Sequence, residues 1–129
     1  MKYISIDGDD IGRKITSCYL SNRCSELSKL SRSLDSSTRA ISNLLTDCGF
    51  DVIFCAADGV VASTNSEFDY HQIFIKVNAL APENITFSAG VGDSLREAYI
   101  ALISAKSNGK NRLHHYHELN SCNSGNQHV

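Results

Sequence analysis

No stretch of this chain approaches the ~18 consecutive apolar residues of a membrane-spanning helix, so no such span is expected. Charge of neither sign is in excess. Twelve Lys and Arg face fourteen Asp and Glu, a net charge of −2 at pH 7, so no nucleic-acid polymer is an evident partner. A small anionic ligand carried with its own metal stays open. Glycine and proline are sparse and there is no internal repeat, which argues against linker-like or solenoid architecture. The five cysteines (Cys18, Cys24, Cys48, Cys55 and Cys122) are odd in number and form no C-x-x-C. They read as reduced thiols in a cytosolic, cytoplasmic protein. A strand starts at residue 2, which leaves no room for a signal peptide.

What is present suits one domain with a real core: 129 residues, 42% hydrophobic and 20% charged. Periodicity places a strand at 2–6, a turn over 7–10 and a short helix at about 11–20. Leu27, Leu30, Leu34, Ile41, Leu44 and Leu45 recur at helical spacing, which predicts a long helix over about 22–47 stopped at Gly49. Two apolar runs flank Ala57-Asp58-Gly59, giving strands at 50–56 and 60–63 around a tight turn. A helix at 67–80 ends near Pro82, followed by a strand at 84–90. A helix at 94–107 stops at Gly109, and "NRLHHY" is a last short strand. Residues 117–129 are polar and Gly/Ser/Asn-rich, so a frayed tail is expected after a domain spanning 1–116.

The order β-α-α-β-β-α-β-α-β is the α+β, ferredoxin-like plan with added helices: a mainly antiparallel sheet with helices packed on one face. In that plan the first strand lies beside the central hairpin. Asp7, behind the apolar run Tyr3–Ile6, then meets Asp58 at the hairpin tip. Asp7, Asp9 and Asp10 crowd like charge at one strand end, with Gly8 and Gly12 among them. A solvated loop with an Asp helix cap accounts for them plainly. A divalent metal that relieves their repulsion accounts for them more specifically, and carboxylates converging from two strands are how a two-metal phosphoryl-transfer site is built.

Three stretches carry a family resemblance. Asp7-Gly8-Asp9, the hairpin Ala56-Ala57-Asp58-Gly59, and Ala105-Lys106-Ser107-Asn108-Gly109-Lys110-Asn111 resemble, in order, the D-x-D stretch, the Gly-Gly-acid-acid hairpin and the Ala-Lys-x-x-Gly-Arg-Asn ending of GGDEF diguanylate cyclases. The same palm occurs in the polymerase-like subunit of type III CRISPR complexes. The nearest resemblance is to the stand-alone minimal CRISPR polymerase (mCpol) family, over about residues 2–116. It implies Asp7 and Asp58 as catalytic, metal-binding carboxylates and the Gly8 carbonyl as a further metal ligand, with Mg²⁺ or Mn²⁺ as the cofactor. It implies triphosphate binding by the backbone around Asp10, Ile11 and Gly12 at a helix start, and by Lys106 and Lys110. The activity implied is a metal-dependent nucleotidyltransferase that makes a cyclic dinucleotide of the cyclic di-AMP type, or a short cyclic oligonucleotide, from ATP for anti-phage signalling through a separate effector. One palm holds one nucleotide, so joining two requires a homodimer.

The pattern departs from the family in places. Alanines replace both hairpin glycines and Gly59 replaces the second acid, which leaves Asp9 or Asp10 to compensate. The positions matching the guanine-reading Asn and Asp of GGDEF domains are Ile15 and Cys24, which offer no acceptor to a guanine edge and favour ATP. No Arg-x-x-Asp precedes the hairpin.

Other readings compete. Alone, Asp58 is turn chemistry and Lys106 and Lys110 a solvated helix face. His115 and His117 share a strand face, too few for a metal site. A haloacid-dehalogenase-like phosphatase would use Asp7 as nucleophile and Asp9 as general acid, with Gly92-Asp93-Ser94-Leu95-Arg96-Glu97 as a closing acidic motif; that fold requires a parallel sheet. A palm that binds nucleotide without turnover is the non-enzymatic alternative.

Overall fold

A computed structural model describes residues 1–119. Its elements are β1 (Lys2–Gly8), α1 (Ile11–Leu20), α2 (Cys24–Asp47), β2 (Asp51–Ala56), β3 (Gly59–Thr64), α3 (Tyr70–Ala79), β4 (Phe87–Gly92), α4 (Leu95–Ser107) and β5 (Leu113–His115). The strands form one sheet in the order β2-β3-β1-β4-β5. All neighbours are antiparallel except β4 and β5. This is the expected mixed α+β palm with a mainly antiparallel sheet.

Strand alternation divides the sheet into two chemically different faces. Ile4 and Ile6 stand opposite Ala62 and Val60 of β3 and opposite Val91 and Ala89 of β4. All six are buried, packed with Ile41 and Leu45 from α2 and with Ile73 and Val77 from α3. Burying an Ile or Leu of this kind contributes about 1.5–3 kcal/mol by transfer from water. The other face carries Ser5 and Asp7 of β1 beside Gly90 and Ser88 of β4.

On that second face the expectation of helices on one side only is corrected, because α4 lies there. A Cβ on Gly90 would fall 2.2 Å from the Ala98 carbonyl oxygen and 2.2 Å from the Leu102 nitrogen, and one on Gly92 would fall 2.4 Å from Glu97 Cβ. The missing side chains let α4 settle on the strand with Ala98, Ala101, Leu102 and Ala105 buried beneath it.

Several boundaries move for local reasons. β1 runs on to Gly8, so Asp7 is a strand residue rather than part of a turn; both neighbours hold it there, Asp7 opposite Gly59 and Gly8 opposite Phe87. α3 starts at Tyr70 rather than 67, because the Asp69 side chain caps it by accepting from the His71 and Gln72 amides. β4 starts at Phe87 rather than 84, since Asn84 takes a positive φ of 65°. β2 contains a bulge between Val52 and Phe54. Residues 116–119 form a helical turn; the rest of the expected tail, 120–129, lies outside the described residues, as does Cys122. Cys18, Cys24, Cys48 and Cys55 are free. Among the described residues no helix is long and apolar enough to cross a membrane.

Candidate active site

The end of β1 and the hairpin tip are fastened together. The Gly8 amide donates to the Asp58 carbonyl at 2.9 Å, and Gly59 lies opposite Asp7. A Cβ at Gly59 would come within 3.2 Å of an Asp7 carboxylate oxygen, so a side chain there would crowd the carboxylate. Burial pushes the Asp7 carboxyl above its ordinary range. A hydrogen bond from Lys106 pulls the other way, and the charges of Asp58 and Asp9 push it further up. The expected convergence of Asp7 and Asp58 is present in the fold: the backbone bond and the register bring the hairpin tip to the end of β1, where the Asp58 charge disfavours ionisation of Asp7.

Lys106, from the end of α4, reaches into this crowd. Its ammonium donates to the Gly8 carbonyl oxygen at 2.7 Å and lies 2.9 Å from Asp7 Oδ2. The positive charge thus rests on two of the three groups expected to hold a metal. The donors here are all oxygen, a set that suits a hard divalent ion such as Mg²⁺ or Mn²⁺. Among the described residues no group of three or more His, Cys, Asp or Glu side chains could hold a metal. Two carboxylates and one carbonyl are what the protein itself offers. That fits an ion such as Mg²⁺, which completes its shell with water and substrate phosphate.

Asp9 does something the sequence did not announce. It is 3% exposed. Its Oδ1 accepts from Ser88 Oγ at 2.7 Å, and its Oδ2 accepts from Thr86 Oγ1 at 2.7 Å and from the Asn111 amide at 3.0 Å. Both oxygens accept hydrogen bonds from the fold, and the Lys106 ammonium lies 3.6 Å from Oδ1, so Asp9 is engaged structurally. It ties β1 to β4 and to the turn after α4. That turn needs tying: Gly109, Lys110 and Asn111 all have positive φ, 119°, 64° and 50°, and a non-glycine residue there costs roughly 1–2 kcal/mol. Asn111 Oδ1 also accepts from Asn78 at 2.9 Å, and Lys110 is ion-paired with Asp10. The Lys110 ammonium holds the Asp10 carboxyl below its ordinary range, so Asp10 is likewise engaged.

Asp10 is the residue before α1. It has a left-handed φ of 60°, and no side chain caps the helix. The first-turn amides of α1 are the unpaired donors of a helix start. Ile11 is buried against Leu34 and Ile85 and offers its backbone only. A Cβ on Gly12 would meet nothing within 4 Å, so this surface is open.

Beside Asp58 a pocket of about 460 Å³ lies between α1 and α2, lined by Ile11, Ile15, Tyr19, Leu27, Leu30 and Leu34, with Ser31 and Asp35 as its polar side chains next to the hairpin residues Ala57 and Asp58. Ile15, one of the two positions matched above to the guanine-reading pair, lines it. Cys24 does not; it is exposed at the first residue of α2. Ser31 and Asp35 were missed because the length of α2 brings them to the pocket from outside any motif.

The arrangement overturns the phosphatase reading. Its sheet is not parallel around β1. Asp93 follows Gly92, which stands opposite Tyr3, while Asp7 stands opposite Ser88; at ~3.3 Å per residue the two motifs sit at opposite ends of the strand. Asp93 instead pairs with Lys2 at 2.6 Å. His114 bonds Ser104 at 2.9 Å, and the His115 and His117 rings lie 5.5 Å apart.

Three solved structures share this fold at low identity. The active GGEEF domain of a diguanylate cyclase from Vibrio cholerae is 18% identical with a TM-score of 0.65, covering 89% of this chain and 81% of that one. The GGDEF domain of DgcB from Caulobacter crescentus, solved in complex with c-di-GMP, is 13% identical with a TM-score of 0.62, covering 90% and 77%. An EAL/GGDEF domain protein from M. capsulatus is 19% identical with a TM-score of 0.60, covering 89% and 83%. No curated protein matches the sequence. The minimal CRISPR polymerase domain family matches residues 3–116, from the second residue of β1 to just beyond β5 and so across the whole palm. The chain belongs to the minimal CRISPR polymerase (mCpol) family, as a nucleotide cyclase- or polymerase-like palm domain.

Proposed function

We propose that this palm is a metal-dependent nucleotidyltransferase that joins ATP into a cyclic dinucleotide of the cyclic di-AMP type or a short cyclic oligonucleotide. The observation that carries the reading is the meeting of Asp7, Asp58 and the Gly8 carbonyl at one strand end, with the Lys106 ammonium already resting on two of them. These three groups would hold Mg²⁺ or Mn²⁺, which when bound would activate a ribose hydroxyl and offset phosphate charge. The uncapped start of α1 at Asp10, Ile11 and Gly12 offers amides to the triphosphate. Lys106 and Lys110 supply positive charge to it. The apolar pocket between α1 and α2 takes the base: its walls suit a flat ring, and Asp35, whose Oδ2 also accepts from Arg39 at 2.9 Å, is an acceptor for the amino group of adenine and equally of guanine, so the preference for ATP rests on Ile15 and the family resemblance.

Each joining step forms a bond from a ribose hydroxyl oxygen to the α-phosphorus of the next ATP. It breaks the bond between that phosphorus and the oxygen leading to the β-phosphate, releasing pyrophosphate, and the hydroxyl proton passes to solvent. Each chain carries one set of these groups, so ring closure takes two chains in a homodimer. The family resemblance extends the reading to a cytoplasmic signalling enzyme in anti-phage defence, whose product is read by a separate effector. Gly59, in place of a second acid, supports a second reading: a palm that binds nucleotide without turnover.

Incubation with labelled ATP and Mg²⁺ or Mn²⁺, followed by an intact-mass spectrum, tests this. Pyrophosphate and a cyclic adenylate are expected. Tight ATP binding with no pyrophosphate would overturn the enzyme reading in favour of the binding one.

A further inference from the structure

We infer that the uncovered half of the sheet's α4 face, together with the flank of α4 beside it, is where a second copy of this chain docks. The inference rests on the two-chain reaction proposed above and adds which surface serves it.

α4 covers β4, β1 and β5, and among the described residues no helix covers this face of β2 and the outer part of β3. One flank of α4 looks toward that opening. Lys106, on this flank, reaches back to β1, while Ser104, on the opposite flank, bonds His114 of β5. Leu95, Tyr99 and Ile103 recur every four residues and continue in phase to Lys106, so they line the same flank. They are 53%, 60% and 44% exposed. Across the opening, Phe54 of β2 stands opposite Val61 on this face and is 55% exposed.

Four of the large apolar side chains that the fold leaves in water thus border one concavity, and none of the four carries charge. Together they present on the order of 400 Å² of apolar surface, about half of the ~800 Å² that each partner buries in an interface of standard size. A patch of that order is the size of the largest apolar patch on a typical monomer, which often has a role.

Two features favour a second copy over a different partner. The four apolar side chains can face their own copies across a two-fold axis with no like-charge conflict between them, while Asp51, opposite Ser63 on the same face, stands at the end of β2 away from the hairpin tip. The patch also runs directly into the half-site that needs completing. Ile103 lies one turn before Lys106 on the same flank, and Phe54 lies four residues before Asp58. A two-fold contact here sets two such ends side by side.

The test is sedimentation of the full chain across concentration, with the double variant Tyr99→Glu/Ile103→Glu and, as control, Ile75→Glu on α3, which is also exposed but lies outside this patch. Wild type and the control are expected to sediment as dimers. The double variant should keep its circular dichroism and melting behaviour, associate at least tenfold more weakly, bind ATP normally and release little pyrophosphate. A double variant that stays dimeric and active overturns this surface and leaves the two-chain reaction standing. A monomeric wild type that still makes cyclic dinucleotide overturns both. A monomeric wild type that makes no product overturns the self-docking.

Discussion

Lys106 holds its ammonium 2.9 Å from Asp7 Oδ2, so a carboxylate crowded by the charges of Asp58 and Asp9 already has a cation on it. An arriving metal ion competes with that ammonium, while an arriving triphosphate gives it somewhere to go. In Lys106→Ala, triphosphate use should weaken by about 1.5–3 kcal/mol, typical of a charge-assisted hydrogen bond, with adenosine binding unchanged. Mn²⁺ binding without nucleotide should tighten, because the competing charge is gone. Titrations with ATP, adenosine and Mn²⁺ separate the three effects. Equal losses for ATP and adenosine would show that Lys106 serves the fold and not the phosphates.

Asp58→Ala should abolish product formation while changing stability by no more than about 1 kcal/mol, the cost of an ordinary turn substitution. The backbone contact that fastens the tip to β1 uses the Asp58 carbonyl, not its side chain, and survives the change. Rate and melting temperature measured on one preparation decide the matter. Near-normal turnover would end the metal-ligand assignment.

Asp9→Ala should behave in the opposite way. It leaves Ser88, Thr86 and the Asn111 amide without their acceptor, at a cost of roughly 2–3 kcal/mol in stability. Activity should fall because the turn carrying Lys110 loosens, and excess metal should not restore it. Urea unfolding gives the stability, and a metal titration of the variant checks the second point. Rescue by metal would make Asp9 a ligand after all.

Asp7→Asn should inactivate the enzyme yet raise the melting temperature of the metal-free protein. The sign follows from linkage. Burial raises the folded-state pKa of Asp7 above its ordinary, unfolded value. Between the two values the folded state holds more protons than the unfolded one, so stability falls as pH rises through that window. The penalty is fully present only above the folded-state pKa. Removing the charge removes the penalty, while the amide oxygen can still accept from Lys106. Melting curves in EDTA at pH 4 and pH 7 should show the variant gaining chiefly at pH 7. A variant less stable at both would mean that the pair with Lys106 outweighs burial.

Specific activity should fall on dilution, because Asp7, Asp58 and Lys106 form one set per chain and the attacking hydroxyl must come within about 3–3.5 Å of the second nucleotide's α-phosphorus. Mixing Asp58→Ala chains into wild type should depress ring closure beyond simple dilution. Constant activity well below a measured dimer dissociation constant would point to a one-chain reaction.

Much of this was legible before any coordinates. A hairpin turn between apolar runs fixes where Asp58 must go, and strand order brings it to Asp7; both are consequences of local pattern. Asp9 was not legible, since its partners Ser88 and Thr86 are far along the chain and nothing local distinguishes a buried Asp from a solvated one. The position of α4 left a trace that went unread. Gly90 and Gly92 alternate on one strand face, and Ala98, Ala101 and Ala105 recur on one helix face. Small residues on both sides of a contact signal close approach. Ser31 and Asp35 reach the pocket only because α2 is long, which no motif spacing encodes.

Gly90 brings the backbone of α4 into direct contact with that of β4. A helix seated so low has no layer of side chains to act as a cushion, and it cannot roll or slide without striking the strand. Its far end therefore presents the Lys106 ammonium to Asp7 as a fixed jig presents a tool, indexed by a residue that no nucleotide ever touches. A relative with every carboxylate and lysine intact but a methyl group at this one position would have a complete set of parts and no alignment.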